Sequence, residues 1–166
     1  MKPEIIEKER TFLAGYSFFG DPFAASGAWT EENEIGTLWK RFMDFFAKRP
    51  DEVPPSAVPH IGYELHIWNQ QLGDTGQYEV FVGMEIKDLE NVPIDLSLKI
   101  LPVTRFAVFT LTGDLISTDL STEMGQWLDA AGVSQTGNFI YNLYDERYRG
   151  MDDLEGSEIE VYVPIE

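Results

Sequence analysis

One order of elements is written twice along this chain. The first half reads strand, helix, strand, strand, as TFLAGYSFFG, EIGTLWKRFMDFFA, HIGYELHIWN and YEVFVGMEI. The second half repeats it as RFAVFTLTG, STEMGQWLDAAG, GNFIYNLYDERY and SEIEVYVPI. Trp39 falls in the first helix and Trp127 in the second, and Tyr63-Glu64 and Tyr141-Asn142 fall in the two middle strands. A unit this small cannot bury its apolar face alone, so two copies pack against each other. The expected fold is therefore α+β: a duplicated β-α-β-β unit, spanning about 3–87 and 100–165, with pseudo-two-fold symmetry. An antiparallel sheet carries the helices on one side, and a central cleft between the halves is the natural place for a small ligand. Residues 1–166 are read as one domain.

Charge narrows the partners. Twenty-nine acidic against 12 basic residues give a net charge of -17. That field repels phosphate backbones, so direct nucleic-acid binding is not expected. There is no cysteine, which removes disulfide and thiolate chemistry. The segment MKPEIIEKER lacks the apolar stretch of a signal sequence. No run approaches the roughly 18–20 apolar residues of a membrane span, so a cytoplasmic location away from membranes is expected.

Along the chain, 4–19 reads as a strand interrupted near Ala14-Gly15. Trp29-Thr30-Glu31-Glu32 starts a helix with Thr30 as its cap. Ile35, Leu38, Trp39, Phe42, Phe45 and Phe46 give that helix one apolar face, and Pro50 ends it. The stretch 51–59, DEVPPSAVP, is an irregular connector, too short and too apolar for a domain linker. Strands follow at 60–69 and 78–86, separated by a turn at 72–77, and a loop spans 88–93. In the second half, 104–111 is a strand and 119–131 a helix with Leu120, Met124, Trp127 and Leu128 on one face. Gly132 ends that helix. Strands at 138–147 and 158–165 are joined by a loop at 149–156.

Standard catalytic motifs are absent. The two histidines, His60 and His66, are too few and too far apart along one strand for a zinc site. No metal or cofactor is expected. Strand alternation puts Glu64, His66 and Trp68 on one face and Tyr63, Leu65 and Ile67 on the other. The apolar face is expected to pack under the helices. Asn142 and Tyr144 share a face in the second half, so a two-fold brings them into the same cleft as Glu64, His66 and Trp68. Glu85 is a further carboxylate within an apolar strand, and a carboxylate among aromatic rings suits a flat cation. Trp39 is a core residue with one edge toward the cleft. The expected lining is Trp39, Glu64, His66, Trp68, Glu85, Phe109, Asn142 and Tyr144, with aromatic rings supplying contact area.

These segments carry a family resemblance. NEIGTLWKRF, YEVFVGMEI, ILPVTRFAVFTLTG, YDERY and SEIEVYVPI, in this order and spacing, resemble the GyrI-like small-molecule-binding domain. That domain is also the effector-binding domain of AraC-type and multidrug-responsive regulators. The resemblance implies ligands held between the halves, often amphipathic, aromatic and cationic. It also implies a glutamate in the penultimate strand, two residues before a tyrosine. Tyr144 matches the tyrosine, but Asn142 stands at the glutamate position and carries no charge. A looser preference for cations follows, unless Glu64 or Glu85 substitutes. Some stand-alone relatives hydrolyse cyclopropane-containing toxins with pocket carboxylates, a role that would fall here to Glu64 and Glu85. Other members bind gyrase. The chain holds no helix-turn-helix segment, so the expectation is a stand-alone, monomeric binding protein for hydrophobic or amphipathic aromatic or polycyclic molecules. A toxin hydrolase and a gyrase-binding inhibitor are the alternatives, and a regulator or gyrase is the expected protein partner.

Overall fold

Strand-forming and helix-forming stretches alternate through the molecule, and the computed structural model describes residues 3–24 and 31–166. The first half contains β1 (Glu4–Lys8), β2 (Thr11–Gly20), α1 (Glu34–Lys48), β3 (Gly62–Ile67), the single turn α2 (Leu72–Thr75) and β4 (Tyr78–Ile86). The second contains β5 (Ser97–Leu101), β6 (Thr104–Thr112), α3 (Ser121–Ala131), β7 (Phe139–Tyr144) and β8 (Glu158–Ile165). All eight strands form one antiparallel sheet in the order β1-β6-β8-β7-β3-β4-β2-β5, curled into a half-barrel.

The order β2-α1-β3-β4 recurs as β6-α3-β7-β8. The likeness extends one strand further back than the sequence reading. β5 starts 93 residues after β1, and β6 starts 93 residues after β2. Their pairing is reciprocal. β1 leaves the first half to pair with β6, Lys8 facing Thr104, while β5 pairs with β2, Leu101 facing Thr11. Each half thus lends its first strand to the other, and with β3 paired to β7 the halves cannot separate without breaking three strand pairs.

Three further details differ from the sequence reading. The first long strand breaks at Glu9-Arg10, where the Thr11 hydroxyl donates to the Glu9 carbonyl at 3.0 Å, and not near Gly15. Thr30 lies outside the described residues; the cap of α1 is Asn33, whose side chain accepts from the Gly36 N–H at 2.9 Å. His60 precedes β3 and does not belong to it.

The core has three parts. Inside the curl lie Leu13, Tyr63, Leu65, Phe81, Phe106, Tyr141, Leu143 and Tyr162. On the other face, α1 seats Leu38, Phe42 and Phe45 against Val80, Val82, Met84 and Ile86. α3 likewise seats Leu128 near Phe109, Ile159, Val161 and Val163. The apolar side of β3, Tyr63 and Leu65, therefore lines the hollow of the curl. It does not pack under the helices, as alternation alone suggested. A strongly curled sheet has two buried faces, so helix cover is not reserved for the more apolar one.

Gly15 sits directly opposite Gly83 across β2 and β4. A methyl at Gly15 would lie 1.9 Å from the Val82 carbonyl oxygen. This close backbone approach requires glycine. Gly15→Ala is expected to destabilise the fold by about 1–3 kcal/mol, as overpacking does. Urea unfolding checks this through a lower midpoint at an unchanged slope.

Candidate functional site

The site begins with the pairing of β3 and β7. Glu64 faces Asn142, Tyr63 faces Leu143, and Leu65 faces Tyr141. Exchanging Tyr63 with Tyr141 and Leu65 with Leu143 maps this ladder onto itself. The pseudo-two-fold axis therefore passes through the pair Glu64–Asn142. Both side chains point to the face that carries the helices, where Trp39 of α1 meets Glu64.

Trp39 reaches this spot from α1. It can lie against β3 because residue 62 is glycine: a methyl there would meet the outer indole edge at 2.8 Å. The indole Nε1–H then donates to Glu64 Oε2 at 2.6 Å. His66 Nε2 lies 2.9 Å from Glu64 Oε1. An ionised carboxylate only accepts, so Nε2 is the nitrogen that carries the proton. Longer contacts of 3.4 Å come from the Asn142 amide and the Tyr144 hydroxyl.

Glu64 is 5% exposed. Burial alone pushes its carboxyl up, but the donors His66, Trp39 and Tyr144 outweigh it and hold the group below the usual glutamate range. The same charge acts in reverse on its neighbours. Burial and then Glu64 raise Tyr144 well above the ordinary phenol range, and Tyr78, stacked on His66, is pushed up to about 12 by burial and by Glu64. Glu64 is thus a buried negative charge held by a shell of donors.

Above it opens a cavity of about 1010 Å³. Its apolar walls are Ile35, Trp39, Phe42, Met43 and Phe46 of α1, most of the connector from Val53 to Ile61, Met84, and Tyr144, Tyr148 and Met151 from the second half, and Glu31, Asn33 and Lys40 also line it. Edge-to-face contacts link Phe46, Phe42, Trp39, Tyr144 and Tyr148 in one aromatic chain, with centroid spacings of 5.1, 6.0, 5.4 and 4.9 Å. The volume lies at the top of the roughly 300–1,000 Å³ range for small-molecule pockets.

The structure brings together Trp39, Glu64 and Tyr144 in this wall. His66 and Asn142 contact the Glu64 carboxylate from the side and support it without lining the cavity. Trp68 lies just past β3, where its backbone N–H bonds the Asn138 carbonyl at 3.0 Å; it is not among the lining residues. Phe109 is fully buried beneath α3 against Trp127. Glu85 is on the opposite face, where its carboxylate accepts from the Tyr63 hydroxyl at 2.5 Å. The sheet therefore separates the two carboxylates that the sequence reading paired. That reading also missed Phe42, Phe46, Tyr148 and the connector as cavity wall. The connector's apolar composition was the available signal, since Val53, Pro54, Pro55, Val58 and Pro59 are costly to leave wholly in water. Among the described residues, no cluster of histidine or acidic side chains is arranged to hold a metal ion, and no helix is long and apolar enough to cross a membrane.

Comparison with known proteins places this geometry. The family model of Cass2, the integron-associated effector-binding protein, matches residues 4–165. The chain belongs to this family. It is 27% identical over 167 residues to the transcriptional regulator BrlR of Pseudomonas aeruginosa, covering 99% of this chain and 56% of the regulator. The chain thus spans about half the length of that relative. Among solved structures, SAV2435 bound to tetraphenylphosphonium is similar at 13% identity and a TM-score of 0.70, covering 100% of this chain and 94% of that one. A hydrolase from Listeria innocua is similar at 13% identity and a TM-score of 0.57, covering 99% and 92%. At these identities the likeness concerns the fold. Binding of small molecules is the role that effector-binding domains share.

Two outcomes follow from the geometry. Gly62→Val is expected to lift Trp39 from β3, shift tryptophan emission to the red and lower stability by about 1–3 kcal/mol; unchanged emission contradicts the placement of Trp39. The second concerns pH. A carboxyl depressed in the folded state adds stability above its unfolded value of about 4.3, and that stability is lost as pH falls through the folded value. The stability gap between wild type and Glu64→Gln is therefore constant from neutral pH to about pH 5 and shrinks on further acidification. Urea unfolding across this range measures it, and a gap that widens in acid contradicts the assignment.

Proposed function

We propose that the chain binds hydrophobic or amphipathic aromatic molecules in the cavity beneath α1, with a preference for those carrying a delocalised positive charge. One observation carries this reading: a buried, ionised carboxylate forms part of a large wall that is mainly aromatic and aliphatic, whose other charged members, Glu31 and Lys40, are exposed to solvent. Apolar rings gain contact area against Trp39, Phe42, Phe46, Tyr144 and Tyr148. Glu64 then supplies the opposite charge where water is scarce and the attraction is least screened. Tetraphenylphosphonium, the molecule bound by the similar SAV2435, has this chemistry.

The absence of an acid at position 142 does not loosen charge preference on this reading. Glu64 stands directly opposite Asn142 and supplies the charge from the neighbouring strand. A second acid at 142 would set two like charges side by side, which is unfavourable. The hydrolytic alternative requires a carboxylate able to take a proton from water or attack a carbon. Glu64 is a weak base, held low and engaged by several donors, and Glu85 lies across the sheet. Reversible binding, as in sequestration or sensing, is the reading the site supports.

A charge series on one shape tests it. Calorimetric titration is run with tetraphenylphosphonium, neutral triphenylphosphine oxide and anionic tetraphenylborate. The cation is expected to bind best and the anion worst. Glu64→Gln should weaken the cation tenfold or more and the neutral compound little, since loss of one partner of a buried charge pair costs about 2–5 kcal/mol. Equal binding of all three compounds, or an unchanged cation affinity in the variant, contradicts the reading.

A further inference from the structure

A second polar cluster lies on the other side of the sheet, in the hollow of the curl. Lys8 of edge strand β1 reaches inward, and its ammonium lies over three tyrosine rings. The distances to their centroids are 5.2 Å for Tyr63, 5.5 Å for Tyr162 and 5.8 Å for Tyr141. It also donates to the Tyr63 hydroxyl at 3.0 Å. Two carboxylates stand behind the rings. Glu85 accepts from the Tyr63 hydroxyl, and Glu160 accepts from the Tyr162 hydroxyl at 2.7 Å while also holding Arg147 at 2.9 Å. Burial lowers the Lys8 pKa, and Glu85 and Glu160 oppose that fall.

Packing does not account for a cation here. The residue that holds the place of Lys8 in the other half is Leu101, 93 residues on, and it is buried in the same hollow. An apolar side chain therefore suffices to close the symmetric position. The three rings and two carboxylates gather around Lys8 alone, and ring faces attract ammonium ions strongly when partly desolvated. The cluster also has an unmet group. Among the described residues, the hydroxyl of the fully buried Tyr141 has no hydrogen-bond partner. A buried hydroxyl left unpaired is costly, and an ammonium has three N–H donors to offer.

We propose that this end of the hollow is a second binding site, specific for a primary alkylammonium group, in which Lys8 is the ligand that the chain itself supplies. The site takes an ammonium on a narrow alkyl stem, with ring faces around the charge and the Tyr63 hydroxyl as the directional partner. An alkylamine from solution competes with Lys8 for the same place. The site is separated from the cavity beneath α1 by the sheet and does not depend on Glu64.

Chemical rescue tests this. Wild type and Lys8→Ala are titrated with n-propylammonium chloride, which restores the missing stem and charge. Sodium chloride and n-propanol are the controls, and thermal unfolding with near-ultraviolet tyrosine dichroism is the readout. Lys8→Ala is expected to melt below wild type. n-Propylammonium should raise its midpoint and restore the tyrosine signal saturably, with half-saturation at least tenfold lower than in wild type. Neither control should do so. Equal responses of variant and wild type, or equal effects of amine and alcohol, would overturn the proposal. If Lys8→Ala does not fold, Lys8→Met keeps the stem up to its last carbon and is titrated with ammonium chloride, which restores only the missing charge, and no response beyond wild type there overturns it as well. Adding Glu64→Gln to the rescued variant should leave the response unchanged. Its loss would place the amine in the other cavity and refute a second site.

Discussion

The pairing of β3 with β7 across the pseudo-two-fold axis is the constraint on which the rest of the site depends. It joins the two halves into one sheet and places Glu64 and Asn142 opposite each other on the face that carries the helices. A symmetric scaffold has a difficulty at its own axis, because identical residues meet there. Two carboxylates would repel, and two neutral amides would supply no charge. This chain has one of each. The resulting site is asymmetric: Trp39 and Glu64 come from the first half, Tyr144 and Tyr148 from the second, and most of the wall from α1 and its connector.

The sheet carries a polar cluster on each of its faces. On the helix side, Glu64 is buried among aromatic rings beneath a cavity of about 1010 Å³. In the hollow, Lys8 is held by tyrosines and backed by Glu85 and Glu160. Strand alternation dictates the separation, since Glu64 and Tyr63 are neighbours and must point to opposite faces. The reciprocal exchange of β1 and β5 closes the hollow and makes each half depend on the other for its edge.

The duplicated order, both main helices and the strands facing each other at the axis were legible from periodicity and from the repeated tryptophan and tyrosine positions. β5 was not, because SLKIL is short and follows a loop, and only its relation to β1 reveals it. The convergence of Glu64, Trp39 and Tyr144 was legible because alternation and helical spacing fix where they point. Glu85 and Phe109 were misplaced because an alternating strand does not state which of its faces is shared with a neighbour. Glu85 faces the hollow, and Phe109 faces α3. The connector wall was hidden for another reason. A proline-rich segment has no period, so its position is set by what it packs against, here by the bonds of Val58 and Lys87 that tie it to the end of β4.

The central claim is that the axis carboxylate and the aromatic chain beside it form the ligand site. A crystal structure of the chain with tetraphenylphosphonium tests it most directly. The account predicts the phosphonium centre close to Glu64, with phenyl rings against Trp39, Phe42 and Tyr148, and Lys8 still seated over its tyrosines. Phosphonium density in the hollow of the curl, or on the outer surface with the cavity beneath α1 unchanged, would contradict it.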